Sequence, residues 1–354
     1  MNIMNDINEL ILALILQKLP TKYRRVAKEH FNQNQSINLK TLKGFGIELS
    51  DYIAKAYDIE RDCKKLNIGI KHFFEADYPI NDNTVADCPF VLFYKGQWSE
   101  CLNDKICLAI VGSRNADTFA LDFTKKLSAT LSKSATIVSG LALGIDASAH
   151  QGAVSSNLSN NNIAVLAHGL DQLYPVCNKK IAERMLEQGG LLISQFPPFT
   201  KPRPQNFLIR NSIIAGLSKA VIVIQASERS GSLVTARFAL ETGKDVLAVP
   251  GNINDLRFKG TNKLIQQGAH LITSADDVFS VISELPKPSD NSSGIKISDK
   301  LSEFALEIRQ RGQVNYYDLL EIHHNPERLS EDLLQLELDG FIRRISGNNY
   351  LWLE

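Results

Sequence analysis

The sequence has no surplus of charge of either sign: 39 basic and 39 acidic side chains leave a formal net charge of zero. The whole-chain basic bias that often marks nucleic-acid binding is therefore missing, and any basic surface has to be local. Paired cysteines are missing too. Cys63, Cys88, Cys101, Cys107 and Cys177 are odd in number and none stands in a CxxC pair, so neither a disulfide framework nor a zinc site is indicated. Long hydrophobic runs are absent. The apolar start Leu10–Leu16 is too short for a bilayer, and it follows Asp6 and Glu9 rather than the basic residues of a secretion signal. The chain is expected in the cytoplasm without membrane insertion. No GxGxxG opens a helix and no GxxxxGK[ST] occurs, which argues against a standard dinucleotide site and against ATP hydrolysis on a P-loop.

What is present is an ordinary globular composition, 44% apolar and 22% charged, over a length that allows two or three domains. Residues 1–72 read as a helical N-terminal module, with apolar residues at helical spacing through Ile11, Leu12, Ile15 and Leu19, and again through Leu49, Ile53 and Ala56. Within it, Gly44-Phe45-Gly46-Ile47 reads as the turn of a helix-hairpin-helix (or SAM-like) pair. Such a turn offers backbone N–H groups to a phosphate, or serves only as a tight connection using glycine's positive φ.

From about residue 105 short β-branched runs alternate with helical stretches: Ile106–Val111, Thr136–Val138, Ile163–Ala167, Leu191–Ile193, Ala220–Ile224, Val246–Val249 and His270–Ile272. The alternation predicts an α/β domain at residues 73–285, built on an extended, doubly wound and mostly parallel Rossmann-like sheet. Residues 286–297 have a linker's composition. Residues 298–354 read as helices followed by a hairpin at Gly347-Asn348, the layout of a winged helix. That segment carries 6 basic and 11 acidic residues, a net −5 that leaves +5 for residues 1–297. Its third helix, Glu327-Arg328-Leu329-Ser330-Glu331-Asp332, would be repelled from a phosphate-lined groove, so the module is expected to contact protein rather than duplex DNA.

Three strand-to-helix junctions carry glycine beside hydroxyls: Gly112-Ser113-Arg114, Ser139-Gly140 through Gly144, and Ser230-Gly231-Ser232. Glycine lets backbone approach an anion, hydroxyls and amides bond phosphate oxygens, and arginine supplies a bidentate fork. At the carboxyl ends of parallel strands such loops form a phosphate site. A polymer rather than a mononucleotide is indicated by the stretch from Gln188 to Ser227. It contains no Asp or Glu, but does contain Lys201, Arg203, Arg210 and Lys219, with Phe199 and Phe207 as candidate stacking platforms and Asn211 following Arg210. Phe207 reads equally as the first buried residue of a helix. Asp146 and His150 share a helix face, and with no nucleophile or metal-ligand set beside them they are assigned to the helix start and to packing. No catalytic residue, metal or cofactor is expected.

The chain resembles the DNA-processing protein A family (DprA, also called Smf). The matching runs are Val111–Arg114, Val138–Ala142 with Gly144-Ile145-Asp146 and Ala149-His150, Gly169-Leu170-Asp171 with Tyr174-Pro175, and Arg210-Asn211. They continue through Ser230–Ala236, Val249-Pro250-Gly251, and Gly260-Thr261-Asn262 with Gly268-Ala269. The resemblance is dense over residues 75–285. It implies a non-enzymatic protein that binds incoming single-stranded DNA during natural transformation, dimerises through its Rossmann-like domain, and helps load the RecA recombinase. Arg114 matches the family's GSR arginine, while Lys201 or Arg203, Phe207, Arg210 and Asn211 fall in its DNA-pocket loop. The sequence departs from the family pattern at Leu143 and Ser212, where arginine is common, and at Gln195 and Gln225, where glutamate is. The stretch Ser155–Asn162 replaces a shorter turn. A nucleotide-binding or nucleotide-processing protein of related fold is the alternative expectation.

Overall fold

The computed structural model describes residues 7–287, apart from 35–36, 45, 47, 81–88, 103–104 and 160, and residues 305–352, apart from 307, 324 and 339–340. The expected linker lies outside the described residues from 288 onward, as do Cys88 and two members of the Gly-apolar-Gly turn, Phe45 and Ile47. The chain divides into two units, Met1–Lys287 and Pro288–Glu354.

Among the described residues four helices open the first unit: α1 (Glu9–Lys18), α2 (Thr21–Asn34), α3 (Leu39–Gly44) and α4 (Ser50–Lys65). Asn8 caps α1 by accepting the Ile11 N–H at 2.9 Å. Ile11 to Leu16 are all buried, which accounts for the unbroken apolar run in a helix far too short for a membrane. Among the described residues no helix is long and apolar enough to cross one.

Among the described residues the sheet has nine strands, two more than the sequence pattern predicts. β1 (Gly69–His72) and β2 (Val91–Gly96) precede β3 (Cys107–Val111), β4 (Thr136–Ser139), β5 (Asn162–Leu166), β6 (Leu191–Ser194), β7 (Ala220–Val223), β8 (Asp245–Ala248) and β9 (His270–Leu271). The order is β1-β2-β6-β5-β4-β3-β7-β8-β9. Pairing is parallel from β6 to β9, whereas β2 joins β6 and β1 joins β2 antiparallel. The two extra strands escaped because β1 is four half-buried residues with no alternation. Its companion stands outside any strand–helix repeat.

Helices cover both faces. α9 (Pro204–Leu217) and α10 (Gly231–Glu241) place Ile213, Ile214, Ala236 and Ala239 against Ala109, Val138, Val221 and Val246. On the other face α6 (Thr118–Leu131), α7 (Ile145–Ser155) and α12 (Ala275–Val281) pack Leu127, Ala149, Ala153 and Val278 onto Leu108, Ile110, Ile137 and Ile222. Successive strand residues thus feed opposite cores, so these strands read as continuous apolar runs. α5 (Trp98–Leu102), α8 (Lys179–Glu187) and α11 (Lys259–Gln266) complete the unit. From β3 the chain winds outward in both directions, to β4 on one side and β7 on the other, so a crevice opens beyond their carboxyl ends.

In the second unit β10 (Gln313–Asn315), α13 (Tyr316–His323), α14 (Pro326–Leu338), β11 (Ile342–Ile345) and β12 (Asn349–Trp352) form a helix pair and an antiparallel sheet of order β10-β12-β11. Leu319, Leu329, Leu333, Leu336, Ile342 and Tyr350 make its core.

Candidate functional site

The junctions after β3, β4 and β7 meet at the crevice, and hydrogen bonds lock them together. Ser113 N–H donates to the Gln225 carbonyl at 2.8 Å, and Ile145 N–H donates to the Ser113 carbonyl at 3.1 Å. Gln225 is fully buried. Its Oε1 accepts the Asp117 N–H at 3.2 Å, its Nε2 donates to Asp117 Oδ2 at 2.6 Å, and Asp117 caps α6 through Ala120 N–H. Glycine is required twice. A Cβ on Gly112 would come within 2.6 Å of the Ile145 side chain, and Gly144 has φ +76° with its backbone against the Ser113 and Arg114 carbonyls.

A cavity of about 720 Å³ lies between these loops and the start of α9. It gathers ten of the residues singled out from the sequence: Gly112, Ser113, Arg114, Arg203, Phe207, Arg210, Asn211, Ser230, Gly231 and Ser232. Four others are elsewhere. Ser139 is fully buried and its hydroxyl donates to the Ile110 carbonyl at 2.6 Å. Gly140 lies behind the wall, where any side chain would collide with Arg210. Gly144 shapes the loop from outside, and Lys201 is exposed beyond the rim. Pro202, between the expected Lys201 and Arg203, lines the cavity too, and so do Asp146 and Tyr174, neither of which was expected there. Only folding brings them in, although Tyr174 carried a signal as an aromatic beside a proline. Phe199, the other stacking candidate, is 62% exposed and lies off the lining, its N–H donating to Asp171 at 2.7 Å.

The two arginines differ in kind. Arg210 is buried; its Nη1 donates to the Gly140 and Val165 carbonyls, each at 2.6 Å, and its Nε to Asn211 Oδ1 at 3.1 Å. Burial lowers its pKa to about 10, against the pull of Asp146. Asp146 is held above the usual carboxylate range by burial, opposed chiefly by Arg210. Arg114 is exposed, with its guanidinium 4.8 Å from the Phe207 ring centroid and no salt bridge among the described residues. Phe207 is half-buried, with Tyr174 6.4 Å away on another side. The starts of α7, α9 and α10 meet here, so three helix dipoles direct partial positive charge into the cavity. The electrostatics favour an anion and the half-open aromatic favours a ring beside it.

His150 is not part of this machinery. It belongs to α7 and is fully buried, with Nδ1 2.6 Å from Asn162 Oδ1 and Nε2 without a partner among the described residues. Burial lowers its pKa from 6.5 to about 4. A depressed folded-state value means the stability it contributes is complete above about pH 6.5 and is lost as pH falls through about 4, some 3 kcal/mol at 1.36 per unit. Melting temperature should therefore fall more between pH 6.5 and 4 in the parent than in His150→Gln. Equal slopes would remove His150 from the acid response. Among the described residues no group of His, Cys, Asp and Glu is placed to hold a metal ion.

Fold and site together define an open α/β protein with a cationic, aromatic-lined cavity at the topological switch point. Residues 70–283 match the model of the DNA recombination-mediator protein A family, and the chain belongs to that family. It is 42% identical over 211 residues to DNA processing protein DprA of Bacillus subtilis, covering 59% of this chain and 69% of that relative. It is also 42% identical over 212 residues to Protein Smf of Escherichia coli, covering 59% and 56%. Among solved structures, DNA processing protein A of Streptococcus pneumoniae superposes with a TM-score of 0.65 at 33% identity, over 78% of this chain and 97% of that one. DNA processing protein A of Helicobacter pylori, whose structure was reported for its single-stranded DNA binding mode, superposes with a TM-score of 0.55 at 28% identity, over 62% and 99%.

Proposed function

We propose that this chain binds single-stranded DNA in the switch-point cavity and acts, without catalysing a reaction, as a recombination mediator for incoming DNA. The observation that carries the reading is the pairing of Arg114, free of any salt bridge among the described residues, with the half-open face of Phe207. Phosphate contact and base stacking in one cavity are the two components of single-strand binding. Gly112, Ser113, Arg203, Asn211, Ser230, Gly231 and Ser232 then offer backbone and side-chain donors to the phosphates, with Lys201 at the approach. Family membership supports assembly as a homodimer through the sheet-bearing unit, handover of DNA to RecA, and a cytoplasmic setting. The domain limits follow the sequence reading: a helical module at 1–72, the Rossmann-like domain at 73–285, a linker at 286–297 and a winged helix at 298–354. The exposed Glu327 and Glu331 on α14 suit that last module to a protein partner.

Fluorescence anisotropy with single strands, duplex and mononucleotide tests the central reading. Single strands should bind most tightly, with log affinity falling steeply against log salt. Phe207→Ala should weaken single-strand binding by about 1–3 kcal/mol for the lost stack. Equal competition by duplex would overturn the reading, and equal competition by mononucleotide would make the cavity a nucleotide site instead.

A further inference from the structure

A second cavity of about 730 Å³, as large as the first, opens between α6, α7 and α8. Lys125, Lys180 and Arg184 stand around it, and among the described residues Glu187 is its one carboxylate. None of the three cations has a salt bridge among the described residues, whereas neighbouring Lys179 pairs with Glu183 at 3.7 Å. Lys180 and Arg184 are four apart and share a face of α8.

The end of a helix ordinarily repels anions, because its last carbonyls point outward. Here three of them are covered. Ser155 Oγ donates to the Gly152 carbonyl and Ser156 Oγ to that of Ala153, both at 2.7 Å, while Gln188 Nε2 donates to that of Val154 at 3.1 Å. With those oxygens occupied, the donors left to the groove are the side-chain amides of Gln151 and Gln188 and the cations Lys125, Lys180 and Arg184.

The groove and the first cavity lie at opposite ends of α7. α7 begins at the switch-point loops and ends here, 11 residues or about 16 Å away. Most of α7 is buried, but Gly144, Ala147, Gln151 and Ser155 are at least partly open, at spacings of three, four and four. They form one stripe along the helix with no acid in it. On the α8 side, Tyr174 lines the first cavity and Lys180 the second, only six residues apart.

We propose that this groove is a second phosphate-backbone contact, into which a single strand held at the switch-point cavity continues along α7. The inference rests on the single-strand reading above. Its test compares a short oligothymidylate of about 5 nucleotides with one of about 16, within the range of known single-strand sites. Both are measured on the full chain and on the triple variant Lys125→Gln, Lys180→Gln, Arg184→Gln. The variant should keep the parent's affinity for the short strand and lose about tenfold on the long one. Its long-strand salt slope should be shallower by about 2, at about 0.7 per lost phosphate contact. All three side chains are exposed, so thermal melting should be unchanged. Unaltered long-strand affinity and slope, or an equal loss on both lengths, would overturn the groove. A parent that binds neither length would overturn the single-strand reading itself, a result distinct from either.

Discussion

Arg210→Met should destabilise the sheet-bearing unit by about 3–5 kcal/mol, the range for stripping one partner from a buried charged pair. Methionine fills much of the arginine stem's space, so little of the loss comes from a void. The loss comes from polar groups left without partners. The carbonyls of Gly140 and Val165, each now 2.6 Å from Nη1, would lose that donor at a buried position. An unsatisfied buried group costs about 1–3 kcal/mol. Asp146 would lose the charge that chiefly opposes its burial. Urea unfolding followed by Trp98 fluorescence in a Trp352→Phe background measures the effect, since Trp98 is buried in this unit and Trp352 belongs to the other. A loss under about 1 kcal/mol would show that the carbonyls find other partners and that Arg210 is dispensable to the scaffold.

Arg114→Ala should do the opposite, leaving stability unchanged within about 0.5 kcal/mol while weakening single-strand binding. Charge-assisted hydrogen bonds contribute about 1.5–3 kcal/mol, which corresponds to roughly a tenfold to hundredfold rise in Kd. The salt slope should become shallower by about 0.7 for the one phosphate contact removed. Arg114→Lys should fall between, because it keeps the charge but not the planar fork that lies over Phe207. Phe207→Ala removes the platform beneath Arg114, so the two losses should not add when combined. Unchanged affinity in Arg114→Ala would take the loop after β3 out of the DNA path. The two arginines would then divide the labour, one holding the loops together and one meeting the proposed ligand.

That division was not legible from composition or motif. Arg210 and Arg114 carry the same charge, and from the sequence alone both read as phosphate ligands. Arg210 follows an acid-free stretch and precedes an asparagine, features that suit a surface contact as well as a buried strut. Ser139 was read with the glycines beside it as a phosphate hydroxyl, yet its Oγ is taken by the Ile110 carbonyl one strand away. Gln225 drew notice only as a departure from the family pattern. In the fold its two side-chain bonds to Asp117, with its carbonyl on Ser113, hold the first loop in place. A glutamate there would set a second carboxylate against Asp117.

The sequence by itself determined the parallel strands from β3 to β9 and the loops at their ends, because strand–helix alternation and glycine at a junction are local signals. It also determined that basic surface must be local, since the whole chain carries no net charge. The antiparallel edge of β1 and β2, the choice between buried and exposed arginine, and the capped end of α7 beside a cationic groove were decided by tertiary structure alone. Each depends on which distant carbonyl or carboxylate arrives opposite a given side chain, and that pairing has no period in the sequence.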